Sequence, residues 1–104
     1  MSDFEAVAQV DEVPPGTGRA VEVAGRPVAL FNVEGTFYAM DGTCLHRGGP
    51  VGEGDLEDTI VTCPWHGWQY DVTTGRNVMD PDIGLAQYEV EVENGVVMVA
   101  IDSE

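Results

Sequence analysis

Short apolar stretches punctuated by glycine-containing turns set the pattern of this chain of 104 residues. Phe4 to Ala8 reads as a first strand. Ala20 to Val23 and Pro27 to Val33 flank Ala24-Gly25, which predicts a hairpin. Thr36 to Met40 follows Glu34-Gly35, a second tight turn in which glycine supplies positive φ. Towards the other end, Ala86 to Val92 and Val96 to Ala100 flank Glu93-Asn94-Gly95. Asn-Gly between apolar alternations is the strongest short-range hairpin signal in the chain. No window repeats apolar residues at spacings of three and four, so little helix is expected. Val13-Pro14-Pro15-Gly16-Thr17-Gly18 reads as a connection, and Asp41-Gly42 ends the first run of strands.

The middle of the chain departs from this pattern. Residues 43 to 82 are dense in Gly, Pro and Asp, and their apolar pieces are short. Ile60-Val61 leads into Cys63, and Trp68-Gln69-Tyr70 follows His66. The predicted architecture is all-β. Antiparallel strands from both chain ends form a base, and a loop-rich segment sits between them.

Charge narrows the functional classes. Nineteen acidic residues face four arginines (Arg19, Arg26, Arg47 and Arg76), for a net charge of -15. A field of that sign repels nucleic-acid phosphates and anionic lipid. A basic protein partner is its natural counterpart. General surface character, including life in high salt, accounts for the same charge. No stretch reaches the roughly 18 apolar residues of a membrane span. Met1 to Gln9 has no basic residue and no long apolar run, so it is not read as a secretory signal. The expected location is the cytoplasm, where a disulfide between the two cysteines is disfavoured. The length fits one domain, residues 1–104, small enough for a metal centre to add usefully to its stability.

The chemistry concentrates in the middle segment, which holds both cysteines and both histidines. They fall as Cys44-x-His46, then 16 residues, then Cys63-x-x-His66. Two thiolates and two imidazoles form a complete tetrahedral ligand set. Each short loop contributes one of each, so two loops must clasp the site. Gly48, Gly49 and Gly67 let backbone approach a ligand and aim amides at sulfur. Pro64 stiffens the second loop, and Trp65 and Trp68 bring apolar area against water. A structural zinc module is the rival reading, since Cys2His2 is also a zinc set. Its usual spacings pair like residues, which does not occur here.

Residues 44–46 and 63–66 resemble the Rieske signature, in which one iron of a [2Fe–2S] cluster takes two cysteines and the other two histidines. Trp65, Gly67, Trp68, Tyr70, Asp71 and Gly75 resemble the second loop of that family. Over essentially the whole length the chain resembles the small soluble Rieske ferredoxins. The resemblance implies a Rieske domain with residues 43–72 as its cluster-binding subdomain. It also implies that Cys44 and Cys63 bind a buried iron. His46 and His66 would bind the outer iron through Nδ1, with Nε2 towards solvent. Trp68 and Tyr70 would complete the cofactor site.

Departures from other family branches are informative. The extra cysteine pair of respiratory Rieske proteins has no counterpart in Arg47 to Gly49 or at Trp65. Trp68 stands where those proteins carry a serine hydroxyl donor. Tyr70 stands where they carry a tyrosine that donates to a ligand cysteine, and where many low-potential ferredoxins have phenylalanine. A low potential raised somewhat by Tyr70 is the implied state, with a plain core aromatic as the other role for Tyr70. The loops also resemble the Rieske domain of terminal oxygenases. Those need a further iron held by two histidines and a carboxylate, and both histidines of this chain are already spent.

The resemblance therefore implies a non-catalytic, monomeric one-electron carrier. It would pass electrons from an NAD(P)H-dependent flavoprotein reductase to a terminal aromatic-ring oxygenase, docking at the His46/His66 edge. Arg47 beside that edge would pair with a partner carboxylate or with one of the chain's own acids. The small Rieske-type subunit of an assimilatory nitrite reductase is the alternative within the family.

Overall fold

A computed structural model describes residues 4–44, 49–65 and 67–100. Among the described residues the chain forms strands β1 (Phe4–Gln9), β2 (Thr17–Val23), β3 (Arg26–Val33), β4 (Thr36–Asp41), β5 (Asp55–Glu57), β6 (Ile60–Thr62), β7 (Gln69–Asp71), β8 (Gln87–Glu93) and β9 (Val96–Ala100). Helical structure in these residues is limited to two single 3₁₀ turns, Val10–Glu12 and Val51–Glu53.

The hairpins form where the turn residues predict them. Ala24 and Gly25, Glu34 and Gly35, and Asn94 and Gly95 all have positive φ. That geometry matches the twist of a two-residue hairpin turn. A fourth two-residue turn, with positive φ at Asp58 alone, joins β5 to β6 and lies outside the predicted hairpins. Asp55-Leu56-Glu57 is too short and too charged to announce a strand. β2 begins at Thr17, earlier than the apolar run starting at Ala20 predicts. Its added residues are polar or glycine. A Cβ at Gly18 would come within 2.5 Å of the Phe31 ring, so glycine lets that ring lie against the strand.

The strands assort into a six-stranded antiparallel sheet, ordered β1-β9-β8-β4-β3-β2, and a three-stranded sheet, ordered β5-β6-β7. β8 joins the two chain ends. Its first residues, Gln87 and Tyr88, pair with β4, and Glu89 to Glu93 pair with β9. β1 then adds beside β9, with an irregularity between Ala6 and Ala8. β1 and β2, the two ends of the strand order, contact each other, so the large sheet curls around its own core.

That curl makes β3 a strand buried on both faces. Val28 and Leu30 point into a core shared with Ala8, Val23, Ala39, Val97 and Val99. Ala29 and Phe31 point the other way, into a second core with Met40, Val51, Val61, Tyr70 and Val72. A strand covered on both sides reads as a continuous apolar run, as Pro27 to Val33 does. Asn32 is the buried polar residue of that strand. Its amide nitrogen donates to the Val13 carbonyl at 2.7 Å, and its carbonyl oxygen accepts from Gly35 N–H at 2.8 Å. The second core also contains Cys44 and Cys63. It lies between the large sheet and the small one, and that places the site.

Candidate metal centre

Two loops carry the candidate ligands, and each is closed directly behind its cysteine. Thr43 and Pro50 form an isolated antiparallel bridge, and Cys44 N–H donates to the Gly49 carbonyl at 2.9 Å. The second loop joins β6 to β7, where Thr62 pairs with Gln69, and Cys63 N–H donates to the Trp68 carbonyl at 2.7 Å. The Gln69 side-chain amide adds a bond to Thr62 Oγ1 at 3.1 Å. Both loops thus close by the same bond between residues five apart. Backbone pinned so close to each sulfur leaves it little freedom, which is how a scaffold preorganises a metal site.

The cysteines form no disulfide and are buried, with Cys44 2% and Cys63 1% exposed. Burial pushes the Cys63 thiol above its ordinary pKa; the Trp65 backbone N–H donating to its sulfur works against this, and the neighbouring Cys44 side chain adds to the rise. The Tyr70 hydroxyl lies 3.3 Å from Cys44 Sγ in full burial. A hydroxyl, able to donate or to accept, and a backbone N–H thus stand beside two adjacent sulfurs. They suit a pair of thiolates, whose charge needs compensation inside a core.

Close approach of the loops requires glycine at one position in particular. A Cβ on Gly49 would stand 2.8 Å from Cys63 Sγ and 3.0 Å from both Cβ and Cγ of Trp65. The first loop therefore rests directly on the second. Of the two described loop glycines, Gly49 meets this steric need, whereas Gly67 holds a positive φ in open space.

The remaining predicted site residues divide. Trp68 is half-buried and packs against the core that holds the cysteines. Trp65 is 50% exposed, so much of its indole faces solvent and shielding falls mainly to Trp68. His46, Arg47 and His66 lie outside the described residues. A third wall was not anticipated. Asn77, 3% exposed, accepts from the backbone N–H of Met79 at 2.8 Å and of Asp80 at 3.0 Å. Val78 N–H donates to the Gln69 carbonyl, which ties this loop to β7. An Asn followed by turn residues signals such a loop, but nothing local signals that it lies against the second cysteine loop.

The Rieske [2Fe-2S] domain family matches residues 3–89. The chain belongs to the Rieske [2Fe–2S] family. Relatives and solved structures place this Rieske protein within the family. It is 35% identical over 96 residues to the ferredoxin component of the naphthalene 1,2-dioxygenase/salicylate 5-hydroxylase systems of Ralstonia, covering 91% of this chain and 92% of that one. A solved complex of reduced oxygenase and oxidised ferredoxin in carbazole 1,9a-dioxygenase matches it at 36% identity and a TM-score of 0.84, over 93% of this chain and 92% of that one. The small subunit of a putative NADH-dependent nitrite reductase from Mycobacterium tuberculosis superposes at a TM-score of 0.90, over 100% and 99% of the two chains. At 22% identity that likeness concerns the fold alone. This Rieske protein is a ferredoxin, an electron carrier rather than a catalytic enzyme, and it takes one [2Fe–2S] cluster per chain.

Proposed function

We propose that this ferredoxin passes single electrons from an NAD(P)H-dependent flavoprotein reductase to the terminal oxygenase of an aromatic-ring-hydroxylating system. The observation that carries the reading is the buried Cys44–Cys63 pair, with a hydroxyl and a backbone N–H directed at its sulfurs. Similarity over nearly the full length to ferredoxin components of such systems supports the class of partner. The same similarity favours this reading over a nitrite reductase subunit or a zinc module.

In this reading Cys44, His46, Cys63 and His66 hold the cluster, and residues 43–72 are its binding subdomain. The cluster supplies a centre that accepts and releases one electron. The chain's own residues do the rest. Tyr70 donates to Cys44 Sγ, Trp65 N–H donates to Cys63 Sγ, and both favour added negative charge. Trp68 and the surrounding core keep water from one side. His46 and His66 form the edge at which partners dock. The carrier acts as a monomer in the cytoplasm, and its net charge of -15 keeps it from nucleic acid and anionic membrane.

Anaerobic purification followed by EPR of the reduced protein tests the centre. A Rieske-type signal with two irons per chain is the expected result. A colourless protein containing zinc refutes it. Reduction by NADH through a flavoprotein reductase, followed by transfer to an aromatic-ring oxygenase, then tests the proposed place of the carrier.

A further inference from the structure

A cleft of about 440 Å³ opens beside the second cysteine loop, lined by Gly67, Trp68, Asn77, Met79, Asp80 and Ile83. Its apolar wall is not satisfied by packing. Met79 is 85% exposed, the most open large apolar side chain described, with Val78 at 45% and Ile83 at 36%. An apolar cluster this open marks a surface that is covered during function. Its rim is acidic, because Asp80 and Asp82 are exposed on the same loop. The nearby cation, Arg76, is turned to the loop itself, where Nη1 donates to the Pro81 carbonyl at 2.7 Å. The loop is also held in shape. Asn77 accepts from two of its amides, and Asn77 N–H donates to the Ile83 carbonyl at 3.0 Å. A preformed surface loses little conformational freedom on association.

We propose that this cleft, with Met79 as its anchor, is a docking notch for a redox protein that offers one apolar side chain ringed by basic residues. The inference rests on the electron-carrier reading and adds the surface and chemistry of the partner. Charge complementarity selects the occupant. A second copy of this chain would bring the same carboxylates and a further net charge of -15 against the rim. A basic partner would gain both steering and burial of Met79. The notch adjoins Gly67 and Trp68, which follow His66 in sequence, so the partner would sit beside the proposed electron exit.

Horse cytochrome c, a basic protein with an exposed haem edge, serves as the probe. The reduced holoprotein is mixed with ferric cytochrome c in a stopped-flow instrument over a range of salt concentrations. Wild type is compared with Met79→Gln, with Asp80→Asn/Asp82→Asn, and with Val92→Gln. Val92, 46% exposed, is an apolar surface residue near the far end of β8. The second-order rate should fall about tenfold in Met79→Gln, the loss typical of a truncated anchor. It should become less salt-dependent in the double carboxylate variant and stay unchanged in Val92→Gln. EPR spectra should be identical in all four proteins. Equal rates for Met79→Gln and wild type overturn the notch while leaving the electron carrier intact. Dimeric sedimentation of wild type that Met79→Gln makes monomeric also overturns it, by assigning the cleft to a second copy. Absence of the EPR signal and of transfer in wild type would instead sink the reading on which the inference rests.

Discussion

Replacing Tyr70 by phenylalanine isolates one hydroxyl. The ring is fully buried among Val61, Val72 and the two cysteines, and phenylalanine fills the same space. What is lost is the hydroxyl 3.3 Å from Cys44 Sγ. A hydrogen bond to a charged group contributes about 1.5–3 kcal/mol. Cys44 is read as a thiolate in both redox states, so only the difference between the states moves the potential. The added electron makes the sulfur a better acceptor, which strengthens the bond in the reduced form. If about a third to a half of the bond's contribution differs between states, the loss is roughly 0.5–1.5 kcal/mol in favour of the oxidised form. For a one-electron couple about 1.4 kcal/mol corresponds to about 59 mV. Tyr70→Phe should therefore lower the potential by about 20–60 mV. Anaerobic redox titration followed by visible absorption or EPR measures it, with thermal unfolding as a check that packing is intact. A potential equal to wild type in a normally folded variant would refute the reasoning and leave Tyr70 as a core aromatic.

Three further outcomes follow from the same geometry. Gly49→Ala places a methyl 2.8 Å from Cys63 Sγ, and overpacking of this kind costs about 1–3 kcal/mol. The variant should purify with less iron per chain and lose it faster, as iron analysis and bleaching kinetics would reveal. Asn32→Ala leaves the buried Val13 carbonyl without its donor and should destabilise the fold by about 1–3 kcal/mol in denaturant titration. Its potential should stay put, since its hydrogen-bond partners lie away from the cysteines. In the metal-free protein the Cys63 thiol is held above its ordinary pKa, chiefly by burial. Between the unfolded and folded values the unfolded chain binds fewer protons, so stability should decline as pH rises above the ordinary thiol range. Urea titrations across alkaline pH would show that decline, and Cys63→Ser should remove most of it.

How much of this was legible in the chain depends on the range of the interactions. Ala24-Gly25, Glu34-Gly35 and Asn94-Gly95 announce their turns because positive φ is a local demand of those residues. The continuous apolar run of β3 was visible, but its assignment to two separate cores was not. That assignment depends on β8 bridging β4 and β9, a pairing between distant parts of the chain. β5 escaped notice because three residues with two charges carry no pattern of their own.

The site divides in the same way. The types and spacing of Cys44, His46, Cys63 and His66 carry the resemblance to the Rieske signature, and that resemblance is what proposes them as ligands. Tertiary structure decided what surrounds the sulfurs. It brought Tyr70 within 3.3 Å of Cys44 across 26 residues of chain. It set Gly49 against Cys63, turned half of Trp65 outward, and folded the Asn77–Ile83 loop beside Trp68. Residue type and short spacing propose the ligands. The tuning of a metal centre and the face it shows a partner depend on contacts made only when the strands pair and the two loops meet.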